Sequence, residues 1–294
     1  MVGIQNILKK YNIKFKKSLG QNFLTDENIT RKIVKKANVS DEDTIIEVGA
    51  GIGTLTRELA KTAQKVIAVE FDRELIAALK DNVESYNNVN ILNSDILKID
   101  IQEIVEGISK KSNQNCIKVV SNLPYNITNP IIMKFLEGTR GIYELTLMVQ
   151  KEVAERITAT AGNKNYGVFS VIVQYYSDPK ILFDVSPTCF MPKPEVYSSV
   201  IRLKVLDSPR VKVDDENEFF KIIKASFFHR RKTIVNSIWA SGLFDLSKEE
   251  IKKVLNIENI NEKTRGEMLS IEQFANISNR ISKKAYQLKN TTNN

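Results

Sequence analysis

From about residue 28 to residue 205, short apolar or β-branched runs alternate with segments of helical hydrophobic period. Such alternation predicts an α/β fold, with a parallel sheet covered by helices on both faces. The last two strand-like runs are joined by a proline-rich link (186–194) without a long helix, so we expect them to pair antiparallel at one edge. The predicted strands are 44–49, 65–70, 89–95, 117–122, 145–150, 181–185 and 196–205, and the predicted helices are 53–61, 73–85, 128–137, 151–159 and 167–176.

The hydrophobic pattern changes near residue 206. The segment 207–213 is a polar linker, and from Glu216 onward apolar residues recur with a helical period and without a further strand pattern. We therefore predict two domains: an N-terminal arm with an α/β domain over residues 1–206, and a small all-helical domain over residues 207–294. A length of 294 residues suffices for a full-size core and a smaller appended unit.

The charge of the chain bears on its partners. A formal net charge of +8 and a pI of about 9.2 suit a polyanion such as a nucleic acid, although many basic proteins bind none. Basic residues cluster in the N-terminal arm and again after the aromatic pair Phe227 and Phe228. For each cluster, a solvated helical face is the alternative to an RNA contact. The clusters comprise Lys9, Lys10, Lys14, Lys16 and Lys17, and His229, Arg230, Arg231 and Lys232.

The residue types exclude several kinds of chemistry. His229 is the single histidine, which argues against a Ser-His-Asp triad, a histidine general base and a histidine-rich zinc site. Cys116 and Cys189 lack metal or redox spacing, so we expect reduced thiols and no metal. Apolar runs are far shorter than the roughly 20 residues of a membrane span. The N-terminus lacks the apolar core of a secretory signal, so we expect a cytoplasmic protein without membrane contact.

Three successive strand ends carry residues that suit a nucleotide-like cofactor. Gly49, Gly51 and Gly53 follow the first strand and lead into a helix, where glycines let the backbone approach a ligand closely. Glu70 ends the next strand and can accept both hydroxyls of a ribose, and Asp95 ends the third and can reach the amine of an adenine. Each feature has a structural alternative, a tight turn for the glycines and a helix N-cap for the acids. At this point a dinucleotide and S-adenosylmethionine both remain open.

The segment after the fourth strand favours S-adenosylmethionine and an adenine amine as its methyl acceptor. The N6 lone pair of adenine is delocalised into the ring, so a site must accept both amine protons before the nitrogen can attack a methyl group. The Asn122 side-chain oxygen and the Leu123 carbonyl are suitable acceptors, and Pro124 stiffens the turn without adding a donor. Tyr125 offers a ring on which a flipped base stacks. The alternative is a proline turn with a core tyrosine.

Seven segments in this order resemble the ribosomal RNA adenine dimethylases of the KsgA type, over nearly the whole chain. The resemblance implies a Rossmann-like, S-adenosylmethionine-dependent methyltransferase sheet with an antiparallel last strand and a helical C-terminal domain. It implies that Asn22 and Leu24 help to cover the cofactor, with Gly49, Glu70, Asp95 and Asn122 completing the site. It also implies that Tyr125 and Phe190 sandwich the target adenine, although a core phenylalanine is an equal alternative for Phe190. The segments are 16–26, 47–56, 68–72, 93–97, 122–128, 148–157 and 190–200.

Two subfamilies share these segments: the small-subunit dimethylases and the Erm enzymes, which modify large-subunit RNA. Residues 225–238 and 263–277 resemble the small-subunit type, with Gly266 where alanine is usual. We therefore expect dimethylation of two adjacent adenosines in a loop near the 3′ end of small-subunit (16S) rRNA. The expected partner is the immature 30S subunit, bound by a monomer whose Arg230, Arg231 and Lys232 contact RNA. An Erm-type enzyme and a mainly non-catalytic ribosome assembly factor are the alternatives.

Overall fold

The computed structural model describes residues 4–16, 19–109 and 116–291, so Lys17 of the N-terminal basic cluster lies outside it. The chain forms two compact units. The first comprises Met1–Ala154 and Asp178–Leu206, and the second comprises Glu155–Ser177 and Asp207–Asn294. The change in sequence pattern near residue 206 thus coincides with a structural boundary, while Glu155–Ser177 groups with the C-terminal helices.

All seven predicted strands are present in the described residues. In chain order the strands are β1 (Phe23–Leu24), β2 (Thr44–Val48), β3 (Lys65–Glu70), β4 (Val89–Asn93), β5 (Ile117–Asn122), β6 (Ile142–Gln150), β7 (Ser177–Val185), β8 (Phe190–Met191) and β9 (Ser198–Val205). The helices are α1 (Ile4–Lys10), α2 (Glu27–Lys36), α3 (Thr54–Ala60), α4 (Arg73–Val83), α5 (Ile101–Ser109), α6 (Thr128–Leu136), α7 (Lys151–Thr158), α8 (Val168–Tyr176), α9 (Glu216–Ser226), α10 (Ile234–Ser241), α11 (Lys248–Ile257) and α12 (Ile271–Thr291). None of the helices in these ranges is long and apolar enough to cross a membrane.

The main sheet of the described chain has seven strands in the order β4-β3-β2-β5-β6-β9-β7. The pairs from β4 through β6 are parallel, and β9 runs antiparallel to β6. This confirms the predicted α/β class with an antiparallel last strand. The last two predicted strands are indeed neighbours at one edge. Because the carboxyl ends of β2 to β5 meet at one edge of the sheet, the loops that follow them lie together.

A second, two-stranded sheet was not predicted from the sequence. β1 pairs antiparallel with β8, and Leu24 lies opposite Phe190. Thr25 extends this pairing, since its backbone N–H donates to the Cys189 carbonyl at 2.8 Å. The pairing attaches the N-terminal arm, meaning the described residues before α2, to the loop between β7 and β9.

Apolar side chains of the first unit pack in several clusters. One contains Ile33, Ile45, Leu59 and Phe190, each at most 5% exposed. A separate cluster joins the arm to the loop after β2 and to α4 through Ile7, Leu8, Phe23, Ile52 and Leu75. Burial of each such side chain stabilises the fold by about 1.5–3 kcal/mol. The arm is therefore packed against the glycine-rich loop.

The second unit has an aromatic core of its own. Tyr166, Tyr175, Phe219 and Phe274 are almost fully buried and pack with aliphatic residues of α9 to α12. The four helices from Glu216 onward confirm the helical pattern predicted there. Gly266 lies in a short 3₁₀ turn (Gly266–Met268), where a Cβ atom would stand 2.5 Å from the Ser226 carbonyl oxygen. The glycine at the position where alanine is usual thus permits a close approach of two backbones.

Candidate active site

A cavity of about 280 Å³ lies in the first unit, at the edge of the sheet where β2, β3 and β5 end. Loops after these strands and the arm line it. The lining residues used below are Gln21, Asn22, Leu24, Glu47, Gly49, Gly51, Glu70, Asp95, Asn122, Leu123, Pro124 and Tyr125. The structure thus brings together ten of the eleven residues predicted for catalysis and cofactor binding, and Phe190 is the exception among them.

The glycines after β2 allow close approaches that a side chain would block. Gly49 and Gly51 have φ values of +69° and +60°, which L-residues with side chains rarely adopt. A Cβ on Gly49 would lie 3.3 Å from the Pro124 ring, and one on Gly51 would lie 3.1 Å from the Phe23 ring. The loop is therefore held close both to the turn after β5 and to the arm.

The Glu70 carboxylate is held in place by backbone donors. Its Oε2 accepts from the Gly51 N–H and its Oε1 from the Asp72 N–H, each at 2.7 Å. Burial raises the pKa of Glu70, and these two hydrogen bonds oppose the rise. Each carboxylate oxygen keeps a further lone pair, so Glu70 can still accept from ligand hydroxyls.

The position of Asp95 is compatible with both of the roles that the sequence left open. It lines the cavity, and its Oδ1 accepts from the Leu97 N–H at 3.0 Å, as the first residue of a turn does. One carboxylate oxygen therefore caps the turn, and a carboxylate has capacity for further donors.

Three residues form an arm clamp that was not predicted: Lys16, Gln21 and Asp72. The buried Asp72 carboxylate lies 2.9 Å from the Lys16 ammonium and accepts from the Gln21 amide at 2.8 Å. Burial alone would raise the pKa of Asp72, but the bonds from Lys16 and Gln21 hold it below its usual range. Lys16, expected in an RNA-binding cluster, is thus paired within the chain. The same holds for Lys10, which pairs with Asp81 at 2.7 Å.

The orientation of the Asn122 side chain is set by the arm. Its Nδ2 donates to the Asn22 carbonyl oxygen at 3.1 Å, and because that oxygen can only accept, the amide oxygen Oδ1 faces away from it. Oδ1 is buried and has no hydrogen-bond partner among the described residues. An unpaired buried polar atom costs about 1–3 kcal/mol. Such an atom in a cavity wall marks a place for a ligand donor.

The turn after Asn122 is stiff. The Leu123 N–H donates to the Met148 carbonyl at 3.1 Å, and its side chain is buried. Pro124 has φ −58°, and its carbonyl accepts from the Thr128 hydroxyl at 3.0 Å. The half-buried Tyr125 follows in a short 3₁₀ turn, and its hydroxyl lies 2.5 Å from the Ser198 hydroxyl. Burial raises the pKa of Tyr125, so the phenol is protonated at neutral pH.

Phe190 does not line the cavity formed by the described residues. It is 5% exposed and packs in the apolar cluster that contains Leu24, its partner across the β1–β8 pair. Its position is that of a core side chain beneath the cavity wall, which was the alternative considered for it.

Glu47 is a cavity residue that was not predicted. It is 2% exposed, and its Oε2 has no partner among the residues that the structure describes. Burial raises its pKa to about 8, although the neighbouring Thr56 hydroxyl opposes the rise. The carboxyl group is therefore mostly protonated at neutral pH.

The basic residues of the second unit differ in their surroundings. Arg230 donates to the Lys164 carbonyl at 2.7 Å and lies 3.3 Å from the Glu267 carboxylate. It therefore links the segment after α9 to two other segments of its own unit. Arg231 and Lys232 are exposed.

The fold and the cavity together define a class of protein. A buried acceptor without a partner and a glycine cradle that a Cβ would fill suit a nucleoside-type cofactor, and Glu70 and Asp95 suit its hydroxyls and its amine. With an antiparallel last strand beside a parallel sheet, these features define a Rossmann-like, S-adenosylmethionine-dependent methyltransferase.

Comparisons with known proteins narrow the class. The sequence profile of the family described as ribosomal RNA adenine dimethylase matches residues 12–283. A Clostridioides difficile protein named Ribosomal RNA small subunit methyltransferase A is 51% identical over 280 residues, which cover 95% of each chain. A protein of the same name from Alkaliphilus oremlandii is 49% identical over 280 residues, or 95% of this chain and 96% of that protein.

A solved structure supports the fold. The crystal structure of a dimethyladenosine transferase from Plasmodium falciparum matches with a TM-score of 0.74 at 24% identity, covering 90% of this chain and 98% of that one. The chain belongs to the ribosomal RNA adenine dimethylase family. The resemblance found in the sequence, the Rossmann-like fold and the class of enzyme are thereby confirmed.

Proposed function

We propose that this enzyme dimethylates the N6 amines of two adjacent adenosines in a loop near the 3′ end of small-subunit (16S) rRNA, and so contributes to small-subunit biogenesis. S-adenosylmethionine is the methyl donor, and the immature 30S subunit is the partner, bound in the cytoplasm by a monomer. The observation that carries the adenine chemistry is the buried, unpartnered Asn122 Oδ1 in the cavity wall beside Tyr125.

The residues of the turn after β5 prepare the amine for attack. Asn122 Oδ1 and the Leu123 carbonyl accept the two amine protons, which directs the nitrogen lone pair out of the base plane. Tyr125 stacks on the base. Because Oδ1 is shielded in the free chain and the turn is stiff, the arm shifts slightly to admit the amine. No general base is needed for attack, since the proton leaves after the nitrogen has become cationic, which agrees with the presence of a single histidine.

The cofactor-binding role is assigned to residues at the ends of the strands and in the arm. S-adenosylmethionine supplies an electrophilic methyl group. Glu70 accepts from its ribose hydroxyls and Asp95 from its adenine amine, while the backbone at Gly49 and Gly51 gives it room. Asn22 and Leu24 cover it, and the arm clamp holds that cover closed. Phe190, buried beneath Leu24, stays a prediction as a partner of Tyr125 against the target base.

The choice of RNA is supported by the relatives and by the C-terminal segments. The two relatives at 49% and 51% identity carry small-subunit names over 95% of this chain. We assign residues 1–206 to the methyltransferase domain and 207–294 to RNA and ribosome binding, with Arg231 and Lys232 as the exposed cations. Arg230 contributes to that surface while pinning the segment that carries it.

One labelling experiment separates the alternatives. Labelled S-adenosylmethionine is offered with unmethylated small subunits and, separately, with naked large-subunit RNA. We expect label in the adenosines of the first; label in the second would assign the chain to the Erm type instead. Asn122→Ala should abolish transfer while RNA affinity stays near that of the wild type. Methyl transfer by Asn122→Ala would refute the acceptor role of Asn122. Absence of label from both RNAs with the wild-type protein would favour an assembly factor.

A further inference from the structure

The hydroxyl of Tyr125 is held by a residue from a distant part of the chain. It lies 2.5 Å from the hydroxyl of Ser198, which begins β9 within the 190–200 segment. We propose that Ser198 is a positioning residue, which fixes the direction of the Tyr125 ring and, through it, the place of the target adenine. The inference rests on the proposed function of Tyr125 as the platform for that base.

The sheet gives Ser198 a fixed position. Ser198 is fully buried and lies opposite Gln150 in the antiparallel pair of β6 and β9. β6 also pairs with β5, where Asn122 lies opposite Met148. Asn122, the proposed acceptor of the amine, thus lies on β5, and Ser198, which holds the ring, lies on β9. These two strands flank β6. Neither can shift without breaking hydrogen bonds of the sheet.

The two ends of the Tyr125 side chain are then both fixed. Its backbone follows Pro124, whose carbonyl is held by the Thr128 hydroxyl. At the far end, the bond to Ser198 restrains χ1, the torsion that swings the ring towards or away from the cavity, because rotation about χ1 would move the phenol oxygen. Rotation of the ring about its own axis leaves that oxygen in place. A ring fixed in this way places a stacked base at a defined distance from Asn122. Misplacement of reacting groups by about 1 Å can cost on the order of a hundredfold in rate.

A purely structural role is the alternative, because two buried hydroxyls also satisfy each other. The neighbouring residue provides a matched control. Ser199 is equally buried, and its hydroxyl donates to the Asp184 carboxylate at 2.7 Å, away from Tyr125. Ser199→Ala thus removes a hydrogen bond of similar burial from the same strand without touching the ring. If Ser198 served stability alone, the two alanine variants should behave alike.

The first test is a double-mutant cycle on the full-length protein, with Ser198→Ala, Tyr125→Phe, the double variant and Ser199→Ala. Methyl transfer to unmethylated small subunits is measured as kcat and KM, and cofactor affinity by calorimetry. Loss of one hydrogen bond should lower kcat about tenfold in both single variants at unchanged cofactor affinity. The double variant should lose no more, and Ser199→Ala should stay within about twofold of the wild type.

A second readout does not depend on activity. An RNA hairpin carries 2-aminopurine in its loop in place of the target adenine, and stacking on Tyr125 quenches its fluorescence. We expect weaker quenching with Ser198→Ala and Tyr125→Phe, and wild-type quenching with Ser199→Ala.

Three results would overturn the role of Ser198: wild-type behaviour of Ser198→Ala, equal losses in both serine variants, or additive losses in the cycle. Those results with an active wild type leave the proposed function standing. A wild type that is inactive on small subunits, yet shows the expected quenching pattern, overturns the proposed function and leaves the role of Ser198 standing.

Discussion

Replacement of Glu47 by glutamine is expected to stabilise the protein, and to do so more strongly as the pH rises. The carboxyl group of Glu47 lies in the cavity wall, and its Oε2 has no hydrogen-bond partner among the described residues. Burial raises the pKa of this group from 4.5 to about 8. An ionised carboxylate at this position has lost its hydration without gaining a cation. Glutamine has nearly the same shape and stays neutral at every pH, so it removes this penalty.

The direction and the size of this stabilisation follow from the pKa of Glu47, which is 4.5 in the unfolded chain and about 8 in the folded protein. Between pH 4.5 and about 8 the folded protein holds a proton that the unfolded chain has released, so the free energy of unfolding falls as the pH rises through this window. At about 1.4 kcal/mol per pKa unit, the loss is about 3 kcal/mol at pH 7 and about 5 kcal/mol above the window. Glu47→Gln should gain these amounts, and almost nothing below the window.

The assay is urea unfolding of both proteins at about pH 5, 6, 7 and 8. Circular dichroism is the appropriate signal, because the single tryptophan, Trp239, belongs to the second unit while Glu47 belongs to the first. Glu58→Gln is the control, since that buried carboxylate pairs with Lys61 at 2.6 Å and its loss should bring no gain. Wild-type and Glu47→Gln stabilities that run parallel with pH would refute the reasoning.

Three further predictions concern the arm, the basic surface and a close backbone contact. Lys16→Met removes the cation of the arm clamp, so limited proteolysis of the arm should speed up and S-adenosylmethionine should bind several-fold more weakly; unchanged proteolysis would show that the apolar contacts of the arm suffice. Changing Arg231 and Lys232 to serine should weaken RNA binding and reduce the slope of log K against log salt by about 1–2; an unchanged slope would make them a solvated face. Gly266→Ala should destabilise the second unit by about 1–3 kcal/mol, measured as urea unfolding monitored by tryptophan fluorescence. Gly107→Ala in α5 is the control: a Cβ there meets nothing within 4 Å, so this variant should stabilise the protein by up to about 1 kcal/mol. A Gly266→Ala variant as stable as the wild type would mean that the backbone at Ser226 moves aside at little cost.

Buried strands were predictable to the residue, and edge features were not. The bounds of β3 and β5 match the prediction, because continuous runs of buried β-branched residues mark them. β7 begins four residues earlier than predicted, at Ser177, since its first half is polar and partly exposed at the edge of the sheet. The helices α1, α2 and α5 and the two-residue pair of β1 and β8 are absent from the sequence prediction, the pair because two residues carry no period.

The site divides in the same way. The positions of Glu70, Asp95 and Asn122 could be predicted because each ends or closely follows a recognisable strand, and parallel strands place such ends together. The arm clamp could not, since Asp72 lies more than 50 residues from Lys16 and Gln21 and nothing local in the sequence pairs it with them. For the same reason Lys16 was grouped with RNA-binding cations. The partners of Arg230, the Lys164 carbonyl and the Glu267 carboxylate, likewise could not be predicted, because only folding brings them together.

Unpaired polar atoms connect the stability of this fold to its chemistry. Asn122 Oδ1 and Glu47 Oε2 are both buried, both lack partners within the described residues, and both belong to the wall of one cavity. A fold optimised for stability alone would pair or replace these atoms, since each unpaired buried polar atom destabilises the fold by about 1–3 kcal/mol. Violations of local rules are expected where a ligand completes the hydrogen bonding. Under the proposed function, the amine protons of an adenine would supply the hydrogen bonds that Asn122 Oδ1 lacks. The unpaired atom that weakens the free chain would then also select a substrate bearing an amine.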